Sequence, residues 1–199
     1  MRYRAEQKEE TRRRMRLAAS RCFRSAGFAG VGVDGIAKEA GATSGAFYSH
    51  FGSKEAAFRE AVELGLDEVI EGVPRFQTVY GTGWIEAFAD YYLGREHRAD
   101  LATGCAMTTL SPEVVRAGND TRALYEEKLA RIAELIADGL ADGTPEQRVG
   151  RAWAMLAVLI GGLTLSRAMI TPTVADGLAT IERDAAVRAA GPARDIRAG

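Results

Sequence analysis

Between positions 43 and 54 the chain gathers groups suited to binding: the hydroxyls of Thr43, Ser44, Tyr48, Ser49 and Ser53, the His50 imidazole and the Lys54 ammonium. Gly45 and Ala46 lie among them, and residues that small let a backbone come close to the edge of another molecule. Hydroxyl and imidazole groups at this density suit hydrogen bonds to base edges and phosphate oxygens. Ser53 is of a type that caps helix N-termini, so the Lys54 ammonium and free backbone N–H groups would share one first turn, an arrangement that attracts phosphate. Catalysis has less to work with. The chain holds two histidines, His50 and His97, and two well-separated cysteines, Cys22 and Cys105. No Gly-x-Ser-x-Gly, phosphate loop or Cys/His cluster occurs, so neither a catalytic triad nor a metal site assembles and no cofactor is expected. The residues read as a binding protein, not an enzyme.

The elements that must position these groups are helical. Val33, Ile36, Ala37 and Ala40 fall at i, i+3, i+4 and i+7, one apolar face of a short helix. Gly41 permits the positive φ of a tight helix end, and the Thr43 hydroxyl can cap a second helix. In that second helix Phe47 and Phe51, one turn apart, point inward and leave Gly45, Tyr48 and Ser49 outward. The result is helix, tight turn, helix. Sustained period-2 alternation is missing elsewhere, so the fold class is all-α. Helices are expected over 6–26, 33–40, 44–50, 53–72, 82–94, 100–110, 113–117, 120–141, 145–170 and 173–189, with a frayed tail after Gly191.

In order and spacing these residues resemble the DNA-binding domain of the TetR family of bacterial transcriptional regulators. The resemblance covers residues 11–63. It rests on Ala18, Ala19, Phe23, Gly27 and Phe28, then on Val33, Ile36, Ala37, Ala40, Gly41, Gly45, Tyr48, His50, Phe51, Lys54 and Glu55. Val31 and Gly32 stand where the family usually has hydroxyl residues, Ala42 and Thr43 where it has Val-Ser, and Phe47 where it has Leu; a hydroxyl contact to phosphate at Gly32 is thereby lost. The resemblance implies an N-terminal three-helix helix-turn-helix DNA-binding domain, residues 1–53, on a larger helical ligand-binding and dimerisation domain, residues 54–199. It also implies a palindromic double-stranded DNA operator, a homodimer through the last two long helices, and repression relieved by a small-molecule effector. Thr43, Ser44, Gly45, Ala46, Tyr48, Ser49, His50 and Lys54 are the expected DNA-binding residues.

Charge is distributed to match. Residues 1–60 carry 12 Lys or Arg against 7 Asp or Glu, and the rest carry 14 against 20, a net of +5 set against −6. A basic end on an acidic body is what an anion-seeking module shows, though a solvated charged helix face would look the same. Arg2 and Arg4 precede no apolar run, so no secretory leader is expected, and two distant cysteines fit a reducing cytoplasm. The apolar stretch Ala152–Ser166 is fifteen residues long. That is short of the ~20 a spanning helix needs, so it is expected to be a buried helix and no membrane is a partner.

The second half holds long amphipathic helices, as in Leu124, Leu129, Ile132, Ile136 and Leu140. Helix 145–170 is apolar nearly all round, and Ala157, Gly161 and Gly162 would let another backbone approach. Its occupant is either a second copy, in an intermolecular four-helix bundle, or the core of a monomer. Trp84, Phe88, Tyr91, Tyr92, Cys105, Met107, Tyr125 and Trp153 are the candidate ligand-binding residues for a small apolar or aromatic effector, with Met155 beside them, although residues of these types are more often core. Cys105 reads as a buried small residue, an electrophile-sensing thiol being the other reading. Ligand is expected to act through the helix that begins near Lys54. A helical protein-interaction module without sequence-specific DNA binding is the alternative function.

Overall fold

A computed structural model describes residues 2–195, with side chains from Lys8 onward. Among the described residues the chain forms α1 (Arg2–Gly30), α2 (Val33–Glu39), α3 (Ser44–Phe51), α4 (Lys54–Tyr80), a 3-10 turn (Gly81–Gly83), α5 (Trp84–Leu93), α6 (Arg95–Ala99), α7 (Ala106–Val114), α8 (Asn119–Asp138), α9 (Pro145–Ala168) and α10 (Pro172–Ala190). The all-α expectation is met.

Two compact units share these helices: Met1–Gly65 with Leu101–Tyr125, and Leu66–Asp100 with Glu126–Gly199. In the first, Met15, Ala18, Ala19, Phe23, Ile36, Phe47, Phe58, Met107 and Leu110 are buried together. Phe23 meets Phe58 edge-on at 5.3 Å between ring centroids. The segment 101–125 joins this unit through a buried cation: Arg24 Nη1 donates to the carbonyls of Thr103 at 3.2 Å and Gly104 at 2.8 Å. Removing an arginine from water is costly, and charge-assisted bonds to carbonyls offset that cost. α1 bends at Gly27 (φ 72°, ψ 174°). A side chain there would be strained by the positive φ, and its Cβ would stand 2.9 Å from Glu113 Oε1, which would have to shift.

The second unit buries Trp84, Ile85, Tyr92, Ile132, Ile136, Leu156, Leu159, Leu163 and Ala186. Thr144 and Gln147 form a reciprocal capping box at the start of α9, with Pro145 in its first turn. α9 packs on α10, α5 and α6. It is 24 residues long, and by length and composition it could cross a membrane, but Ala152, Met155, Leu156, Leu159, Gly162, Leu163 and Ser166 are buried inside the unit. Its opposite side is open: Trp153, Ala157 and Leu165 are exposed, so the helix is not buried all round.

Several boundaries differ from expectation. α4 continues beyond 72 to Tyr80 with Pro74 inside it. Proline removes one helical hydrogen bond, and here the following turn is held by packing of Val73 and by Gln77, which is buried and donates to the Leu135 carbonyl at 2.7 Å. The expected helix 100–110 begins only at Ala106 because Arg24 holds the carbonyls before it out of helical register. α7 runs through Pro112 to Val114, absorbing the start of the expected helix 113–117. The short α6 was not foreseen; Arg167 stabilises it by donating to the carbonyls of His97, Arg98 and Asp100. Nor is the tail after Gly191 frayed as far as Asp195. The Ala141 amide donates to the Pro192 carbonyl and the Arg194 amide to that of Gly139, both at 2.8 Å.

Candidate nucleic-acid interface

The helix-turn-helix is built from local rules that agree. Gly32 caps α2 through backbone alone, and burial of Ile36 and Ala37 compensates for so short a helix. Gly41 takes φ 63°, a left-handed conformation that glycine adopts without strain. The Ala42 amide then reaches back to the Ala37 carbonyl at 2.8 Å, closing the turn. Thr43 Oγ1 accepts from the Ala46 amide at 3.2 Å and so starts α3, and Ser53 Oγ accepts from the Ala56 amide at 3.1 Å and starts α4.

α3 has a strict inside and outside. Phe47 is fully buried, with its ring centroid 4.9 Å from that of Phe51, also buried. Tyr48, the next residue, is 55% exposed. Thr43, Gly45 and Ser49 are exposed with it, while Ser44, Ala46 and His50 are half-buried at its margins. Lys54 places Nζ 4.4 Å over the Phe28 ring, a cation–π contact that holds the ammonium beside the first turn of α4.

Two residues near this face escaped the sequence reading. Asp34, in the first turn of α2, accepts a hydrogen bond from the Ser44 hydroxyl. Arg14 of α1 reaches the α2–α3 turn, with Nη1 3.6 Å from where a Cβ at Gly41 would stand. An acid in a helix's first turn gives no sign of a partner ten positions away. Arg14 lies in a run of four arginines among residues 12–16 that are indistinguishable without the fold. Of that run, Arg16 and Arg12 pair with Glu60 at 3.1 and 3.8 Å, and Arg13 with Glu10 at 2.8 Å. The Arg13 hydrogen bond holds the Glu10 carboxyl below its ordinary pKa.

The candidate ligand-binding residues divide between the units. Cys105, Met107 and Tyr125 belong to the first; Trp84, Phe88, Tyr91, Tyr92 and Trp153 belong to the second. Cys105 and Met107 are buried, and the Tyr125 hydroxyl lies 2.5 Å from Ser111 Oγ. Burial pushes the Tyr125 phenol above its usual pKa, against the lowering effect of the Ser111 bond. Trp84, Phe88 and Tyr92 form a buried aromatic row, and Trp84 Nε1 donates to the Gly139 carbonyl at 3.1 Å. Tyr91 and Trp153 are exposed. A cavity of about 260 Å³ inside the first unit is lined by other residues, among them Phe28, Phe58, Glu113 and Thr121. Among the described residues, no three His, Cys, Asp or Glu side chains are grouped to hold a metal.

Trp153 and Leu165 of α9 and Val174 and Ile181 of α10 are exposed. The paired glycines on α9 differ in role. A Cβ at Gly161 would meet nothing within 4 Å, whereas one at Gly162 would stand 2.0 Å from Glu182 Oε2, so Gly162 serves the contact between α9 and α10.

Residues 17–61 match the sequence profile of the bacterial regulatory proteins, tetR family. Comparison with curated proteins by sequence finds no match. Solved structures with the same fold include a transcriptional regulator of the TetR family from Cytophaga hutchinsonii, with TM-score 0.75 and 16% identity over 90% of this chain and 94% of that one. A second, from Agrobacterium tumefaciens, has TM-score 0.73 and 13% identity over 89% and 97%. NemR from E. coli in its reduced form has TM-score 0.72 and 19% identity over 87% and 95%.

Proposed function

We propose that the chain, whose residues 17–61 match the profile of the tetR family of bacterial regulatory proteins, is a ligand-responsive transcriptional repressor of that family. It binds a palindromic DNA operator as a homodimer and releases it when a small apolar or aromatic effector binds. The observation that carries this reading is the two-sided α3: Phe47 and Phe51 buried behind, Tyr48 and Ser49 exposed in front. A helix anchored in that way can enter a major groove without unpacking its own core. In this reading the groove is contacted by Thr43, Ser44, Gly45, Ala46, Tyr48, Ser49 and His50, and Lys54 meets a phosphate. These residues lie in or just beyond residues 1–53, and residues 54–199 carry the effector and dimer functions.

The exposure of Trp153, Leu165, Val174 and Ile181 on α9 and α10 supports pairing of two copies there, since exposed apolar side chains gathered on a surface mark association sites. The effector is contacted by residues among Trp84, Phe88, Tyr91, Tyr92, Cys105, Met107, Tyr125 and Trp153, and it acts on DNA affinity through α4, whose first turn carries Lys54. A coupling of ~1–3 kcal/mol suffices for such a switch.

Selection of bound duplexes from a random pool tests the reading. The expected result is a palindromic consensus, bound with an affinity that falls steeply as salt rises. Enrichment of no sequence by a folded protein would refute sequence-specific binding and leave a helical interaction module in its place. Sedimentation at micromolar concentration is expected to give the dimer mass.

A further inference from the structure

Asp34 and Ser44 stand ten positions apart, each in the first turn of its helix, and the fold brings their side chains into contact: the Ser44 hydroxyl donates to Asp34 Oδ1. Asp34 is exposed and Ser44 half-buried, so the pair borders the face that carries Thr43, Gly45, Tyr48 and Ser49. A carboxylate is an unwelcome neighbour for a phosphate backbone. Its presence beside that face calls for a partner that donates.

Donor and acceptor accounting narrows the partner. An ionised carboxylate only accepts, and Ser44 has one hydroxyl proton, already given to Asp34, so the pair offers acceptors alone. In the major groove the donors are the exocyclic amino groups, N4 of cytosine and N6 of adenine; guanine O6 and N7 and thymine O4 accept. Adenine N6 lies between two acceptors, its own N7 and the paired thymine O4. Cytosine N4 has one such neighbour, guanine O6, so a carboxylate meets less repulsion there.

We propose that Asp34, steadied by Ser44, is a specificity-determining residue that reads the N4 amino group of one cytosine in each operator half-site. The inference rests on the DNA-binding reading above and adds a base to it.

The test uses the full-length protein and the operator recovered by selection. Each base pair is replaced in turn, symmetrically in both halves, and Kd is measured for the wild type, Asp34→Asn, Asp34→Ala and Ser44→Ala. At one position per half-site the wild type is expected to prefer cytosine on the contacted strand by roughly tenfold. Both Asp34 variants abolish that preference and keep the ranking at every other position. Ser44→Ala retains the carboxylate but removes its anchor, so the cytosine preference is expected to shrink and to stay larger than in either Asp34 variant. If the wild type and both Asp34 variants bind with the same base ranking throughout, the inference falls and the DNA-binding reading stands. Loss of all binding by folded Asp34→Asn and Asp34→Ala also overturns it, because the pair would then only hold α3 in place. A wild type that enriches no duplex overturns both readings.

Discussion

Phe47 and Tyr48 are chain neighbours with opposite surroundings, so truncating each in turn separates what holds α3 from what α3 presents. Phe47 is fully buried, 4.9 Å from Phe51 and 5.6 Å from Tyr48 between ring centroids. Phe47→Ala removes a whole ring from a closed site, a change that costs ~3–5 kcal/mol. For a chain of this size each kcal/mol shifts Tm by about 2–4 °C, so Tm should fall by roughly 6–20 °C. Tyr48 is 55% exposed, and its ring meets that of Phe47 edge-to-face at 86°. Such a pair is worth ~0.5–1.5 kcal/mol when buried and less when half in water, so Tyr48→Ala should lower Tm by no more than about 4 °C. On DNA the order reverses. Loss of one hydrogen bond and the ring's contacts costs ~1–2 kcal/mol, roughly 5- to 30-fold in Kd, with no loss of fold to explain it. Scanning calorimetry and fluorescence anisotropy with the selected operator read the two effects, and Tyr48→Phe isolates the hydroxyl. If Tyr48→Ala melts as low as Phe47→Ala, or binds the operator with unchanged affinity while folded, the two-sided reading of α3 is wrong.

Other substitutions probe the second unit. Thr144→Ala removes the hydroxyl that accepts from the Gln147 amide at 3.3 Å, and loss of this cap should cost ~1 kcal/mol by calorimetry, with Thr144→Ser retaining most of it. Gly162→Ala places a methyl 2.9 Å from Glu182 Cβ, so α9 and α10 must move apart, at ~1–3 kcal/mol; an unchanged Tm would contradict the packing. Gly161→Ala meets nothing within 4 Å and should stabilise the fold by ~0.5–1 kcal/mol, read as a raised Tm. Hydrogen bonds from Arg98 and Arg95 hold the Asp176 carboxyl below its ordinary pKa. Its stabilising contribution is therefore present above the unfolded carboxylate pKa, near 4, and is lost as pH falls through the lower folded value. Asp176→Asn should flatten that part of the acid-unfolding profile, and an unchanged acid limb would count against the Arg98–Asp176–Arg95 contact.

What was legible in the sequence is what short-range chemistry decides. The Gly41 turn, the Thr43 and Ser53 caps and the four-residue spacing of Phe47 and Phe51 each act within a few positions, and all agree on one local structure. What was not legible depends on partners far along the chain. Nothing near Arg24 says that its guanidinium will be buried against the carbonyls of Thr103 and Gly104, yet that contact draws 101–125 into the first unit and delays the start of α7. Gly139 falls inside the helix expected over 120–141, yet α8 ends at Asp138. In the fold a Cβ there would stand 2.4 Å from Gln77 Nε2 and 3.0 Å from the Trp84 ring, and its carbonyl serves both Trp84 and Arg194. Aromatic composition likewise says little about which rings are free: the polar atom of Trp84 is already engaged within its own unit, whereas Tyr91 and Trp153 are exposed.

Net charge was a weaker guide than it looked, for a related reason. The excess of basic residues over 1–60 suggests a bare cationic surface, but much of it is engaged within the first unit. Arg12 and Arg16 face Glu60, Arg21 faces Glu39 at 3.5 Å, Arg59 faces Asp120 at 3.9 Å, and Arg24 is buried on backbone carbonyls. Exposed pairs of this kind contribute little stability, and they leave less positive potential for a phosphate backbone than a residue count implies. Arg14 at the Gly41 turn and Lys54 at the start of α4 lie near the two-helix face, and the exposed Lys38 stands in the last turn of α2. In the DNA-binding reading such cations hold the phosphate backbone whatever its sequence, and close, directional contacts from α3 must supply the discrimination between bases.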